Sequence, residues 1–274
     1  MKYKYRLNHN VSLPSYALSI SKYAAIAALD CIAKPYHSES KLVFIAGCGH
    51  SGTTLLAARF GNLAKTFVVP KETYEFRPEN PLYAIRHELD TWIKHSKQID
   101  AETVIEKTPK HIHCWHRIKA FIPAAKLVVI TRGPLDTCAS LAKRYGDLAF
   151  ATERYCIDNL AAAKLRKAKD VYHMSYEAFV TQPDIEGKKL VEFTGQQWRE
   201  EFVAGGTSTY DAADLKHNML LRQQQVREPI RANVGGWKQQ LTSEQAKFVL
   251  DKTSYVASLL GHTSGLAERP ISQE

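Results

Sequence analysis

The sequence predicts an α/β fold, a three-layer sandwich whose central parallel sheet carries a P-loop-like turn at the end of its first strand. Two observations predict it. Short β-branched runs alternate with longer segments of helical spacing. A glycine-rich turn, Gly47-Cys48-Gly49-His50-Ser51-Gly52-Thr53-Thr54, follows directly on the apolar run Leu42-Val43-Phe44-Ile45-Ala46. Strands that alternate with helices make a parallel sheet covered on both faces.

In chain order, a helix around 16–33 lies within an N-terminal extension, 1–40, and precedes a strand at 41–47 and a helix at 54–63. A strand at 66–70 (Thr-Phe-Val-Val-Pro) leads to a helix at 80–97. Strands at 103–106, 126–131 and 170–174 then alternate with helices at 111–121, 134–145 and 153–169. The segment 176–195 holds a helix closed by Gly195. The stretch 199–236, with Gly205-Gly206, Gly235-Gly236 and many polar residues, reads as a lid-like excursion, and a helix at 243–260 closes the fold. Residues 1–274 thus form a single domain without internal repeats or low-complexity tracts.

A chain of 274 residues with 45% hydrophobic content can bury a substantial core. Its formal charge of +9 implies an anionic partner: a nucleotide, a polyanion or a lipid surface. The basic start is followed by Val11 to Ser21, interrupted by Pro14 and serines, so no secretory signal is expected. The longest uncharged run, Leu42 to Ala58, falls short of the ~20 residues a membrane span needs. Five cysteines without C-x-x-C spacing suit a cytoplasmic location and buried, small apolar roles.

The turn almost matches G-x-x-x-x-G-K-[ST], but Thr53 stands where the lysine would reach β- and γ-phosphates. Backbone N–H groups and a helix N-terminus can still hold a phosphate there, with the hydroxyls of Ser51, Thr53 and Thr54 as further donors. A plain tight turn would also use glycines after a strand. A second stretch, Val128 to Leu141, ends a strand in Arg132 and places Ser140 eight residues on, which suits a second phosphate gripped by a guanidinium and a hydroxyl. A third, Tyr176 to Gly195, follows the last strand.

Together with "VGGWKQQL", Val234 to Leu241, these stretches resemble the sulfotransferases that use 3′-phosphoadenosine 5′-phosphosulfate (PAPS), over most of residues 41–241. The resemblance implies that Gly47, Cys48, Gly49, His50, Ser51, Gly52, Thr53 and Thr54 hold the 5′-phosphosulfate. It assigns the 3′-phosphate to Arg132, Ser140 and Arg231, sets Tyr176 near the adenine, and gives Trp237 to a G-x-W-K element. It implies in-line sulfuryl transfer to an acceptor oxygen or nitrogen, release of adenosine 3′,5′-bisphosphate (PAP), and no required metal. Such a ligand has no β,γ-phosphates, so the absent lysine has no task.

Sulfuryl transfer needs a base for the acceptor's proton and cations for the developing charge. By the resemblance, Glu72 in "PKETYEF" is similar in position to the catalytic glutamate of the protein-tyrosine branch, with Glu75 and Glu106 as rivals. Pro109 stands where the histidine of K-T-H-L-P would be, which leaves His111 as a third choice. Lys107 matches the family lysine at the bridging oxygen. His50 departs from the usual lysine or arginine before S-G-T-T; as an imidazolium it would donate a hydrogen bond and carry charge. The cluster "HIHCWH", His111 to His116, splits its ligand types between two helical faces, which disfavours a single zinc site.

Two other classes remain open at this level. A P-loop kinase or NTPase lacking its lysine would need a carboxylate for magnesium, and the strand 126–131 ends in Thr131-Arg132. A basic polyanion binder would cluster its charges with aromatics, whereas here they are dispersed, so no nucleic-acid and no membrane partner is expected. The acceptor is expected to be a small molecule. Glu72, Glu75 and Glu79 point to a cationic one bearing an amine or guanidine. Oligomeric state is not readable from the chain.

Overall fold

The computed structural model describes residues 13–205, 230 and 232–262. Arg231 and most of the 199–236 excursion lie outside the described residues. Five strands, β1 (Lys41–Gly47), β2 (Thr66–Val68), β3 (Thr103–Lys107), β4 (Lys126–Thr131) and β5 (Val171–Ser175), form one parallel sheet in the order β2-β3-β1-β4-β5. Ten α-helices are described: α1 (Leu13–Cys31), α2 (Thr53–Phe60), α3 (Leu82–Gln98), α4 (Trp115–Phe121), α5 (Pro134–Tyr145), α6 (Leu148–Lys164), α7 (Tyr176–Thr181), α8 (Pro183–Thr194), α9 (Glu201–Ala204) and α10 (Ser243–Leu259).

Strand β1 explains the layering. Its residues Leu42 to Gly47 are all buried, as expected of a parallel strand covered on both faces. Side chains alternate across the sheet: Leu42, Phe44 and Ala46 pack with α3 and α4, whereas Val43 and Ile45 pack with α2 and α8. A third apolar cluster ties Cys48 to α5, α6 and α10. The path from β1 leads to β2 on one side, and β4 then opens the other, so the chain reverses direction between β1 and β4. Ligands of open α/β sheets bind at the carboxyl ends flanking such a reversal. The glycine turn and Arg132 lie there.

Several boundaries differ from the sequence expectation. The helix expected at 111–121 is a 3₁₀ turn, Pro109–His113, followed by α4; the intervening Cys114 has φ −107°, outside the helical range. The helix expected at 153–169 starts at Leu148, because Asp147 caps it by accepting from Phe150 N–H at 2.9 Å. Pro183 divides 176–195 into α7 and α8, and Gly195 closes α8 at φ 72°. Phe202 of α9 is fully buried, so the described start of the 199–236 excursion belongs to the core. The cysteines were expected to be buried; Cys48 and Cys138 are, Cys114 and Cys156 are partly so, and Cys31 is exposed.

Candidate active site

The turn after β1 is built by conformations that side chains resist. Gly47 has φ 145°, and an added Cβ would lie 2.4 Å from the Ile130 carbonyl oxygen on the adjacent strand. Gly47→Ala should therefore push β1 from β4 and cost about 3 kcal/mol or more. A thermal melt should show a fall in Tm of roughly 6–12 °C; an unchanged melt would mean the turn relaxes freely. Gly52 opens α2 at φ 102°, with the Tyr176 ring 2.7 Å from where its Cβ would be. Between them His50, a non-glycine residue, is held at φ 70°. Strain of this kind persists where the surroundings over-determine it, and it clusters at ligand sites.

Ser51 is fully buried, and its Oγ has no hydrogen-bond partner among the described residues. A buried hydroxyl left unmatched costs free energy, which makes Ser51 a candidate ligand donor in the turn. Thr53 is also buried and Thr54 half-buried, at the N-terminus of α2. Across the β1/β4 boundary, His50 Nδ1 lies 2.7 Å from Ser140 Oγ on α5, which brings two of the expected ligand residues together.

Arg132 continues β4 into this crevice. Its guanidinium stacks over the Tyr176 ring at 4.4 Å and donates to the His50 carbonyl at 3.4 Å and to the Asn233 carbonyl. Its Nε is buried without a partner among the described residues. Burial is the larger influence on the Tyr176 phenol and raises its pKa, against the opposing charge of Arg132.

The sequence reading missed the residue that organises this end. Asp136, four residues after Arg132 on α5, accepts from Gly235 N–H at 2.8 Å and Trp237 N–H at 3.0 Å, and sits 3.8 Å from Arg132 Nη2. It clips the G-G-W-K turn onto the crevice, with Trp237 packed against the α5–α6–α10 cluster. The i,i+4 spacing of Arg132 and Asp136 was the available signal. Glu177 is a second such residue, accepting from Gly133 N–H at 2.8 Å and from Ser175 Oγ at 2.8 Å.

The expected base and cation meet at the end of β3. Lys107 Nζ lies 2.6 Å from Glu72 Oε1, and Tyr74 donates its hydroxyl to Glu72 Oε2 at 2.6 Å. Lys107 pairs in register with Ile45, two residues before Gly47, which brings it beside the glycine turn. It follows Ile105 by two, so it points to the α2 layer, whereas Glu106 points to the opposite one. There Glu106, fully buried, accepts from Thr73 Oγ1 at 3.1 Å and Thr108 Oγ1 at 2.5 Å and bonds His111 Nδ1 at 2.8 Å. Phe76 N–H donates to His111 Nε2 at 3.4 Å, so Nδ1 carries the proton in a neutral ring. Glu106 and His111 thus pin the 72–76 loop. Glu75 is half-buried; burial, with Glu88 nearby, raises its pKa, and Asn80 donates to it at 3.3 Å.

A strand–glycine turn–helix cradle beside a buried guanidinium, at the reversal point of a parallel sheet, defines a P-loop-like nucleotide-binding enzyme. Comparison with known proteins narrows this class. Residues 70–200 match the profile described as "Sulfotransferase family". That match spans just under half of the chain and marks it as similar to the sulfotransferases. Its fold is similar to the sulfotransferase domain from the Synechococcus PCC 7002 olefin synthase, at TM-score 0.58 and 16% identity, covering 81% of this chain and 98% of that one. It is also similar to mouse sulfotransferase SULT7A1 complexed with PAP, at TM-score 0.51 and 16% identity, covering 89% and 95%. A sulfotransferase from Alicyclobacillus acidocaldarius aligns at TM-score 0.50 and 17% identity, covering 84% and 97%. No curated protein matches the chain by sequence. Among the described residues, no helix is long and apolar enough to cross a membrane.

Proposed function

We propose that this protein moves the sulfuryl group of PAPS to a hydroxyl, amine or guanidine of a small-molecule acceptor and releases PAP. The observation that carries the reading is the pair of unmatched buried donors, Ser51 Oγ in the turn and Arg132 Nε at the end of β4, facing one crevice from adjacent strands. Two separated donor sets fit a nucleotide with an anionic group at each end. The mouse neighbour's complex with PAP supports the same ligand.

The residues present fit the nucleotide's two ends. Amides of the 47–52 turn, Ser51 and Thr53 would hold the 5′ end, and Arg132 with Ser140 the 3′-phosphate, with Tyr176 beneath. When bound, PAPS supplies the sulfur electrophile, whose bond to the phosphate oxygen breaks as the acceptor's bond forms. Glu72 takes the acceptor's proton, and its partner Lys107, one hydrogen bond away, balances negative charge beside it. A cationic acceptor would be held by Glu75 and Glu79, because Glu72 is already matched by Lys107.

Thermal shift tests the reading. PAP without magnesium should raise Tm by several degrees at saturating concentration, whereas ATP with magnesium or an oligonucleotide should leave it within about a degree. The reverse ranking would favour a kinase-like or polyanion-binding protein. A screen of amines, guanidines and phenols with labelled PAPS then identifies the acceptor class; transfer confined to neutral phenols would remove the cationic assignment.

A further inference from the structure

We propose that His262, the third residue after α10, is a positioning residue for the 3′-phosphate site: it bolts the end of β4, so that Arg132 meets the nucleotide at a fixed place. The inference rests on the nucleotide reading above and adds to it the last of the described residues.

A helix cap delivers the side chain. Gly261, at φ 82°, takes the left-handed conformation just past α10; its N–H donates to the Ser258 carbonyl at 3.1 Å, and His262 N–H donates to the Ala257 carbonyl at 2.9 Å. These two bonds close the helix and turn the chain back on itself. The imidazole is thereby carried against the sheet, where it is 7% exposed and its Nε2 lies 2.9 Å from Thr131 Oγ1, a contact across 131 residues of chain. Its Nδ1 faces Glu177 Oε2 at 3.8 Å. Burial, the largest influence, lowers the imidazole's pKa, and Arg166 acts the same way against the opposing charge of Glu177, so a neutral ring makes these contacts near pH 7.

The two contacts bracket Arg132. Thr131 precedes it as the last residue of β4, and Glu177 accepts at 2.8 Å from the N–H of Gly133, which follows it. Glu177 Oε2, the oxygen that faces His262, also accepts from Ser175 Oγ at 2.8 Å, and Ser175 pairs in register with Thr131 on the neighbouring strand. The Arg132 carbonyl accepts from the Tyr155 hydroxyl at 3.2 Å. The backbone around Arg132 is in this way tied to α6, to α7 and to the turn after α10, while its guanidinium reaches the crevice over the Tyr176 ring. A guanidinium grips a phosphate through a planar fork, and such a grip tolerates little displacement of the backbone that carries it. His262 acts through Thr131 and Glu177, not on the nucleotide itself.

Calorimetric titration of the full chain with PAP and adenosine 5′-monophosphate tests this. His262→Phe keeps a flat ring but no hydrogen-bonding nitrogen; it should weaken PAP about fivefold or more and leave the 5′-monophosphate within about twofold. His262→Gln, whose amide reaches the place of Nε2 and can either donate or accept, should recover most of the loss. Thr131→Val removes the partner hydroxyl at nearly constant shape and should cost PAP binding as much, which keeps the test available if His262→Phe does not fold. Because the two changes act on one contact, the double variant should bind PAP no more than about twofold worse than either single one. Equal losses for both nucleotides, additive losses in the double variant, or no loss in either single variant would overturn the proposal; if Arg132→Met still separates the two nucleotides in that case, the nucleotide reading stands. Wild-type protein that binds neither probe would overturn that reading and this inference with it.

Discussion

Glu72→Gln is expected to lower kcat by about 10²–10⁴-fold, the usual contribution of a positioned general base, while PAP affinity stays within about twofold. The substitution keeps the shape: its amide oxygen can still accept from Lys107 Nζ, and its NH2, in place of the other carboxylate oxygen, can donate to Tyr74 Oη. Glu72 itself is partly exposed, at 24% of its side chain, but Lys107 is buried and loses its counter-charge, so a modest loss of stability should accompany the change and is read separately by a thermal melt. What it removes is the ability to take up a proton. A fall in kcat with little change in KM for PAPS therefore separates proton transfer from nucleotide binding. If kcat survives, Glu75 is the next carboxylate to replace. It faces the same loop, and its raised pKa moves it closer to neutrality than an ordinary glutamate. Glu106 is not the next choice, because its alternation along β3 turns it to the other layer, where Thr73, Thr108 and His111 occupy it.

The sheet and the turn were legible because they are local patterns. The run Leu42 to Ala46 reads as a buried strand, and the same residues fill both layers. The expected strands at 41–47 and 126–131 and the helix at 134–145 have the observed limits. Motifs at strand ends converge because all five strands run parallel, so the carboxyl ends share one edge. Harder to read were contacts made between elements far apart in the chain. Asp136 reaches a turn 99 residues away, and Arg154 reaches Gly49 through the packing of α6, with no sequence signal beyond its i,i+4 spacing to Asp158. The "HIHCWH" stretch was read on one helical wheel, but the 3₁₀ turn gives His111 to Glu106 and His113 to Asp158, on separate networks.

Arg132→Met should weaken PAP by about 100- to 1000-fold, since two charge-assisted hydrogen bonds to a phosphate contribute roughly 3–4 kcal/mol. Adenosine 5′-monophosphate, which lacks the 3′-phosphate, should lose no more than about twofold on the same argument. Methionine fills much of the arginine's length and can still lie on the Tyr176 ring, where the guanidinium now stacks. Asp136 keeps its two backbone donors, Gly235 and Trp237, so the G-G-W-K turn stays clipped to α5. Arg132→Lys separates charge from geometry: an ammonium keeps the attraction but loses the planar fork, and about tenfold weaker binding of PAP is expected. Equal weakening of both nucleotides in Arg132→Met would have another cause. Arg132 also donates to the His50 carbonyl, and loss of that bond would loosen the 5′ turn. Comparing the two ligands therefore decides whether the guanidinium binds the 3′-phosphate or only braces the turn beside it.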